Sequence, residues 1–368
     1  MGKLWNRAAG ALKDQNSIVM ASLARRTALR RPDVEAVVIR ATSHDESCVD
    51  YESVEKVYRL VRLSPNHFRP LIWAISRRMR KTGSWAVALK GLMLMHGVFS
   101  CRVPAVRKIG PLPFNFSDFK DRHSNSSKTW GHNHFIRAYF AFLDHKSAIL
   151  FIDEQEQTPR LSSSSSPLMQ TLELLQKLQD LLDVTLKIRP NSSITIAPLI
   201  IEAMDCIVVE IFDIHNRLCT GIVNILPRIL EASKAEAEAA LKIAARVRIQ
   251  NLELNDYFEL CNKIGVSNAT ILPATHKISK QQIQELEDII NGVIPVSPHH
   301  NKAAKEEPPS MLPASTVAKE TRHSTIITDR WETFDEETNP ANYAPPLLPL
   351  NNNLQHLQHR HLPDLITF

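Results

Sequence analysis

Residues 84–99, S-W-A-V-A-L-K-G-L-M-L-M-H-G-V-F, decide the fold. From Trp85 to Phe99 the stretch is apolar nearly all round, interrupted only by Lys90 and His96. A helix without a polar face must be covered on every side, which places it at the centre of a helical stack. Met93 and Met95 read as filler of that core. His96, on the same helix, reads as a packed histidine bonded to backbone rather than as a catalytic base. Gly83 and Ser84 mark where this helix starts.

Upstream, Ser64-Pro65 reads as an N-cap followed by proline in the first turn. It opens a helix, P-N-H-F-R-P-L-I-W-A-I-S-R-R-M-R, that exposes Arg77, Arg78 and Arg80. Residues 51–63 hold Val54, Val57, Tyr58 and Val61 at helical spacing. Before them, residues 37–55 read V-V-I-R-A-T-S-H-D-E-S-C-V-D-Y-E-S-V-E: a helix end, a polar loop and a helix start. Arg40 and His44 reach one corner of that loop, and Asp50 is the expected cap of the next helix. In residues 21–31, the spacing of Arg26 and Arg30 predicts a basic helical face that also carries Arg25 and Arg31. In residues 3–13, Leu4, Trp5, Ala8, Ala11 and Leu12 form one stripe flanked by Lys3, Arg7 and Lys13. That is the pattern of a short interfacial helix, apolar face in the acyl boundary and basic flank at the headgroups.

Downstream, residues 110–130 read as a loop pinned by Phe114, Phe116 and Phe119, and residues 131–152 as a helix. His132 and His134, with His123 nearby, read as surface histidines, since a metal site needs a third ligand in matching geometry. Ser162 to Ser166 form a flexible link. Helices follow over residues 168–188, 194–218 and 221–229. A further helix starts in the alanine-rich stretch near 232 and runs to 261, with Gly265 as its terminator. Residues 278–291 close the folded part. No strand alternation or hairpin signal occurs in it.

Composition narrows the function classes. Hydrophobic residues make up 43% of the 368, glycine is scarce at 10, and no apolar run reaches the ~18 residues of a spanning helix. The first twelve residues lack the uninterrupted apolar core of a secretory signal, and Gly2 is followed by Asn6 where a myristoylation pattern needs Ser or Thr. Five cysteines without C-x-x-C spacing fit reduced thiols. Residues 1–110 hold 20 Lys/Arg against 8 Asp/Glu, while the remainder is net acidic, so the anionic partner belongs at the N-terminal third. No P-loop, G-x-G-x-x-G, G-x-S-x-G or H-E-x-x-H occurs, which argues against an enzyme and calls for no cofactor. The arginines are not interleaved with stacking aromatics, which ranks nucleic acid low as a partner.

Several blocks together carry a family resemblance. R-A-T-S-H-D-E at 40–46 resembles the K-A-T-x-H-x-E signature of ANTH domains, the membrane-binding domains of clathrin assembly proteins. S-V-E-K-V-Y-R-L-V, S-P-N-H-F-R-P-L-I-W and the run at 84–99 resemble plant-type members. So do F-I-R-A-Y-F-A-F-L-D, D-L-L-D-V-T-L-K-I-R-P and I-G-V further on. The resemblance implies an all-α, ANTH/ENTH-like superhelical solenoid of about nine to ten helices. It also implies an N-terminal lipid-interacting segment (1–22), helical parts at 23–155 and 168–292 joined by the linker 156–167, and a disordered tail (293–368). It makes Arg40 and His44 headgroup ligands, supported by Arg25, Arg26, Arg30, Lys3, Arg7 and Trp5. The family's second basic cluster falls here on Asp50, Glu52 and Ser53. Each basic side chain near an anionic leaflet contributes about 1 kcal/mol, so the two acids weaken that site. The alternative is a protein scaffold with weakened or lost headgroup binding.

The tail holds ten of the 22 prolines and two short motifs. Trp331, Phe334 and Asp335 in W-E-T-F-D-E-E resemble peptides bound by adaptor-complex appendage domains, with aromatics for pockets and acids for a basic rim. Leu365, Ile366 and Phe368 in the terminal L-I-T-F resemble a clathrin box, which implies the clathrin heavy chain as partner. The family also takes vesicle SNAREs as cargo, and no residue here is assigned to that role. The expected setting is the cytoplasmic face of clathrin-coated pits and vesicles, at the plasma membrane or Golgi.

Overall fold

The computed structural model describes residues 2–63, 65–122, 127–156, 166–190, 196–270, 273 and 280–292. These form eleven α-helices, with no strand among the described residues. They are α1 Gly2–Ser22, α2 Pro32–Ala41, α3 Tyr51–Leu63, α4 Pro65–Lys81, α5 Trp85–Ser100, α6 Pro104–Arg107, α7 Ser127–Glu156, α8 Pro167–Leu186, α9 Pro198–Ile225, α10 Lys234–Ile264 and α11 Lys280–Ile290. Short 3-10 turns lie at Leu226–Glu231 and Ser267–Thr270. All of them belong to one compact unit, Met1–Pro298.

The all-apolar helix is central, as its pattern predicts. Every residue of α5 from Trp85 to Phe99 is buried, under α2, α3, α4, α7 and α9. Its two glycines admit the neighbours. A Cβ on Gly97 would lie 1.9 Å from the Tyr58 hydroxyl of α3, and one on Gly91 would lie 2.1 Å from Met79 Sδ of α4. His96 is packed, but side chains hold it rather than backbone. Its Nε2 is 3.0 Å from Glu210 Oε2 of α9, and its Nδ1 is 2.8 Å from the Tyr139 hydroxyl of α7. A carboxylate can only accept, so Nε2 carries the hydrogen and Nδ1 accepts from Tyr139. Lys146 Nζ donates to the same carboxylate at 2.6 Å. Burial alone would raise the Glu210 pKa; the Lys146 charge and the His96 bond override it and hold it far below the usual value.

Local signals fix the ends. Asp50 caps α3, accepting from Ser53 N–H at 3.1 Å. Ser233 and Glu236 form a capping box at the start of α10, and Gly265 ends that helix at φ +82°, where glycine avoids Cβ strain. Phe114, Phe116 and Phe119 are buried and pin the loop after α6. Four further expectations need correction. Residues 127–130 are not loop, because α7 already begins at Ser127. Residues 23–31 are not a basic helix: Thr27 N–H donates to Arg30 O and Arg30 N–H to Thr27 Oγ1, making a turn. α9 does not break before Gly221, because that glycine serves contact with α8: a Cβ there would lie 2.4 Å from Leu175 Cδ2. Ser166 is no linker residue but the N-cap of α8, accepting from Met169 N–H at 3.0 Å. Ser64, Ser162 to Ser165 and the tail from 293 lie outside the described residues.

Candidate functional site

The polar loop after α2 is a junction. Side chains from three helices converge on residues 42–47. Arg78 of α4 donates to Thr42 O at 2.8 Å, Lys90 of α5 to Ser43 Oγ at 3.0 Å, and Trp85 Nε1 to Glu46 Oε1 at 3.0 Å. From α1, Asp14 accepts from the His44 backbone N–H at 2.7 Å, contacts His44 Nδ1 at 2.7 Å and accepts from Arg78 at 2.6 Å. Burial would raise the Asp14 pKa; the His44 bonds and the Arg78 charge outweigh it and hold it below the usual carboxylate value. Gly10 lets α1 approach, since a Cβ there would lie 2.8 Å from His44 Cβ.

The opposite side of α1 is apolar and bare. Trp5 and Leu12 are 75% and 72% exposed, and Val19, Met20 and Leu23 are exposed as well. Trp5, Leu12 and Val19 recur every seven residues and lie on one ridge. Gly10, Asp14 and Ala21 lie on the face turned to the body, where Asp14 and Ala21 are buried. The helix is longer than residues 3–13 and carries its apolar stripe outward.

The basic residues divide into committed and uncommitted groups. Arg30 is bound to the buried Glu35 at 2.9 Å, and Arg77 reaches the same carboxylate at 2.6 Å. Arg26 pairs at the surface with Asp33, and Arg7 with Asp45. Arg25 and Arg40 are exposed. Asp33 and Arg40 stand seven apart on the outer ridge of α2, so the Arg26 pair brings a second arginine to that ridge. His44 is not an open ligand: Asp14 occupies it. Lys3 lies in α1, but its side chain is outside the described residues. Asp50 is spent on its cap, and Glu52 pairs with Lys56 at 2.6 Å. His132 stacks on Trp85 with centroids 4.1 Å apart. His123 lies outside the described residues, and no cluster fit for a metal occurs among the described ones. Trp331, Phe334, Asp335, Leu365, Ile366 and Phe368 also lie outside them.

A family model for the ANTH domain matches residues 33–292. The chain belongs to the ANTH-domain family. A "Putative clathrin assembly protein" of Arabidopsis thaliana is 43% identical across 100% of both chains. A second protein of that description is 42% identical, covering 91% of this chain and 88% of its own. A clathrin coat assembly protein of the same plant is 25% identical over 92% of this chain and 57% of its own. The ANTH match runs from α2 to the end of α11, so α1 stands before it. No described helix is long and apolar enough to cross a membrane.

Sequence reasoning missed three members of this ANTH junction: Asp14, Arg78 and Lys90. One signal for Asp14 was available. It is the single acid among seven basic residues in residues 1–32, and a lone acid in a basic segment invites the question of what it neutralises. Arg78, expected to be exposed on its helix, is instead largely buried against Asp14 and Thr42; neither it nor Lys90 gave such a signal, because their partners come from elements distant in sequence.

Proposed function

We propose that this ANTH protein is a peripheral adaptor of clathrin-coated membrane. Its helical body docks on an anionic, phosphoinositide-containing bilayer, and its tail recruits clathrin and adaptor appendages. The outward apolar ridge of α1 carries the reading. An exposed apolar stripe on a helix with basic flanks suits the boundary between headgroups and acyl chains. Arg40, Arg25 and Arg26 add attraction for the leaflet, each worth about 1 kcal/mol near the surface. The tail motifs at 331–335 and 365–368 are individually weak. Tethered to a membrane-bound body, they act at raised effective concentration. Vesicle SNAREs are the cargo the family resemblance implies.

Co-sedimentation with liposomes, with and without phosphatidylinositol bisphosphate, tests the membrane half. Trp5→Ser with Leu12→Ser is expected to abolish most sedimentation, and Arg40→Ala to weaken it about fivefold. Equal binding to neutral and phosphoinositide liposomes would discard headgroup recognition in favour of the scaffold reading. That reading is favoured by the commitment of Asp50 and Glu52 where the family places bases. Capture of clathrin heavy chain by the tail, lost when Leu365, Ile366 and Phe368 become alanine, tests the other half.

A further inference from the structure

We propose that the seat of the Asp14 carboxylate is an oxyanion site, built by His44 and Arg78 beside Lys90, that takes a phosphate group when α1 lifts away. Asp14 is then an internal stand-in that keeps the site shut. Three N–H donors converge on this one carboxylate: the His44 backbone, the His44 ring and the Arg78 guanidinium, all within 2.7 Å. Arg78 is 13% exposed and is fixed from behind by Thr42. A rigid guanidinium beside a backbone N–H aimed at the same oxyanion is a donor set that phosphate recognition uses.

Lys90 is an independent observation. It is 1% exposed, and it donates a hydrogen bond to the Ser43 hydroxyl. No carboxylate lies within ion-pair distance of it among the described residues. The buried Lys90 and the largely buried Arg78 therefore flank residues 42–44, and among the described residues Asp14 is the one carboxylate within ion-pair distance of either. Asp45 contributes to the field at Lys90 but is itself engaged at the surface by Arg7 and Ser47. A phosphate brings more charge and more acceptor oxygens than the carboxylate it would displace.

The latch is also weak enough to open. Asp14 arrives from α1, while every other member of the site lies within residues 33–292. Trp5, Leu12, Val19 and Met20 of α1 point outward, while Ile18 is half-buried and Ala21 buried, so only modest hydrophobic burial holds the described part of the helix down. The Arg7–Asp45 pair is exposed and contributes little. Opening would hand α1 to the bilayer as a phosphate is captured.

The pocket itself does not depend on the membrane reading; only the source of the phosphate does. The full chain is titrated with inositol hexakisphosphate in solution, and separately with vesicles containing phosphatidylinositol bisphosphate. Hydrogen exchange of α1 amides is followed in both. In the wild type, the soluble ligand is expected to speed exchange across residues 2–22. Asp14→Asn keeps the shape and removes the competitor, and is expected to tighten binding about tenfold, the worth of one charge-assisted hydrogen bond. Adding Arg78→Gln is expected to erase that gain. Unchanged α1 exchange in ligand-saturated wild type overturns the proposal without any mutant. So does a tenfold gain that survives Arg78→Gln. A gain for the soluble ligand alone keeps the pocket, assigns it to free inositol phosphates and counts against the membrane reading. A gain on vesicles as well assigns it to the lipid headgroup.

Discussion

Glu210, His96 and Lys146 join three helices through one buried carboxylate. Replacing Lys146 by methionine leaves that carboxylate without its cation, and the expected cost is about 3 kcal/mol in urea unfolding. His96 adds a pH dependence. Burial holds its pKa below the ordinary 6.5, against the pull of Glu210. Between the two values only the unfolded chain takes up the proton, so stability is complete above about pH 6.5 and falls as the pH drops. Glu210, also depressed, adds a second loss below about pH 4.5. The urea midpoint is expected to be lower at pH 5 than at pH 7.5. His96→Gln should flatten that difference relative to the wild type; an unchanged slope would show that the proton goes elsewhere. The sequence told that His96 is packed, because it sits on an all-apolar helix. It could not tell the partner, since Glu210 lies 114 residues away.

The helices are held by close approach at their crossings and by caps at their ends. Gly97→Ala would gain about 1 kcal/mol of helix propensity. It would also drive a methyl into the Tyr58 ring, and overpacking of a rigid aromatic outweighs the gain. A net loss of about 2 kcal/mol is expected by thermal or urea unfolding. Ser233→Ala removes the capping box of α10 and is expected to cost about 1 kcal/mol. Element type and order were largely legible, and the cap at Asp50 and the stop at Gly265 were readable from local chemistry alone. The misread places share one cause. Gly221 looks like a breaker, because the sequence does not display the α8 side chain it accommodates. Arg26 and Arg30 have helical spacing, yet the Thr27 turn and their acid partners Asp33 and Glu35 claim them. Asp14 is a lone acid in a basic segment, and its reason lies in a loop thirty residues away.

The molecule as a whole joins across the serine run that divides its sequence. α5 and α9 pack together, α7 packs on α8, and Ser166 Oγ bonds Glu236 at the head of α10. The linear text suggests two helical halves, and chain continuity hides how completely they share an interior. His96 and Tyr139 come from before residue 157 and Glu210 from after it. A gene cut at that run would therefore yield two polypeptides, neither with a closed interior. Each made alone in a bacterial host should accumulate as inclusion bodies, while coexpression should restore a co-purifying, non-covalent pair. Soluble monomeric recovery of residues 1–156 by themselves would mean that the crossing from α5 to α9 is an ornament on a self-sufficient half.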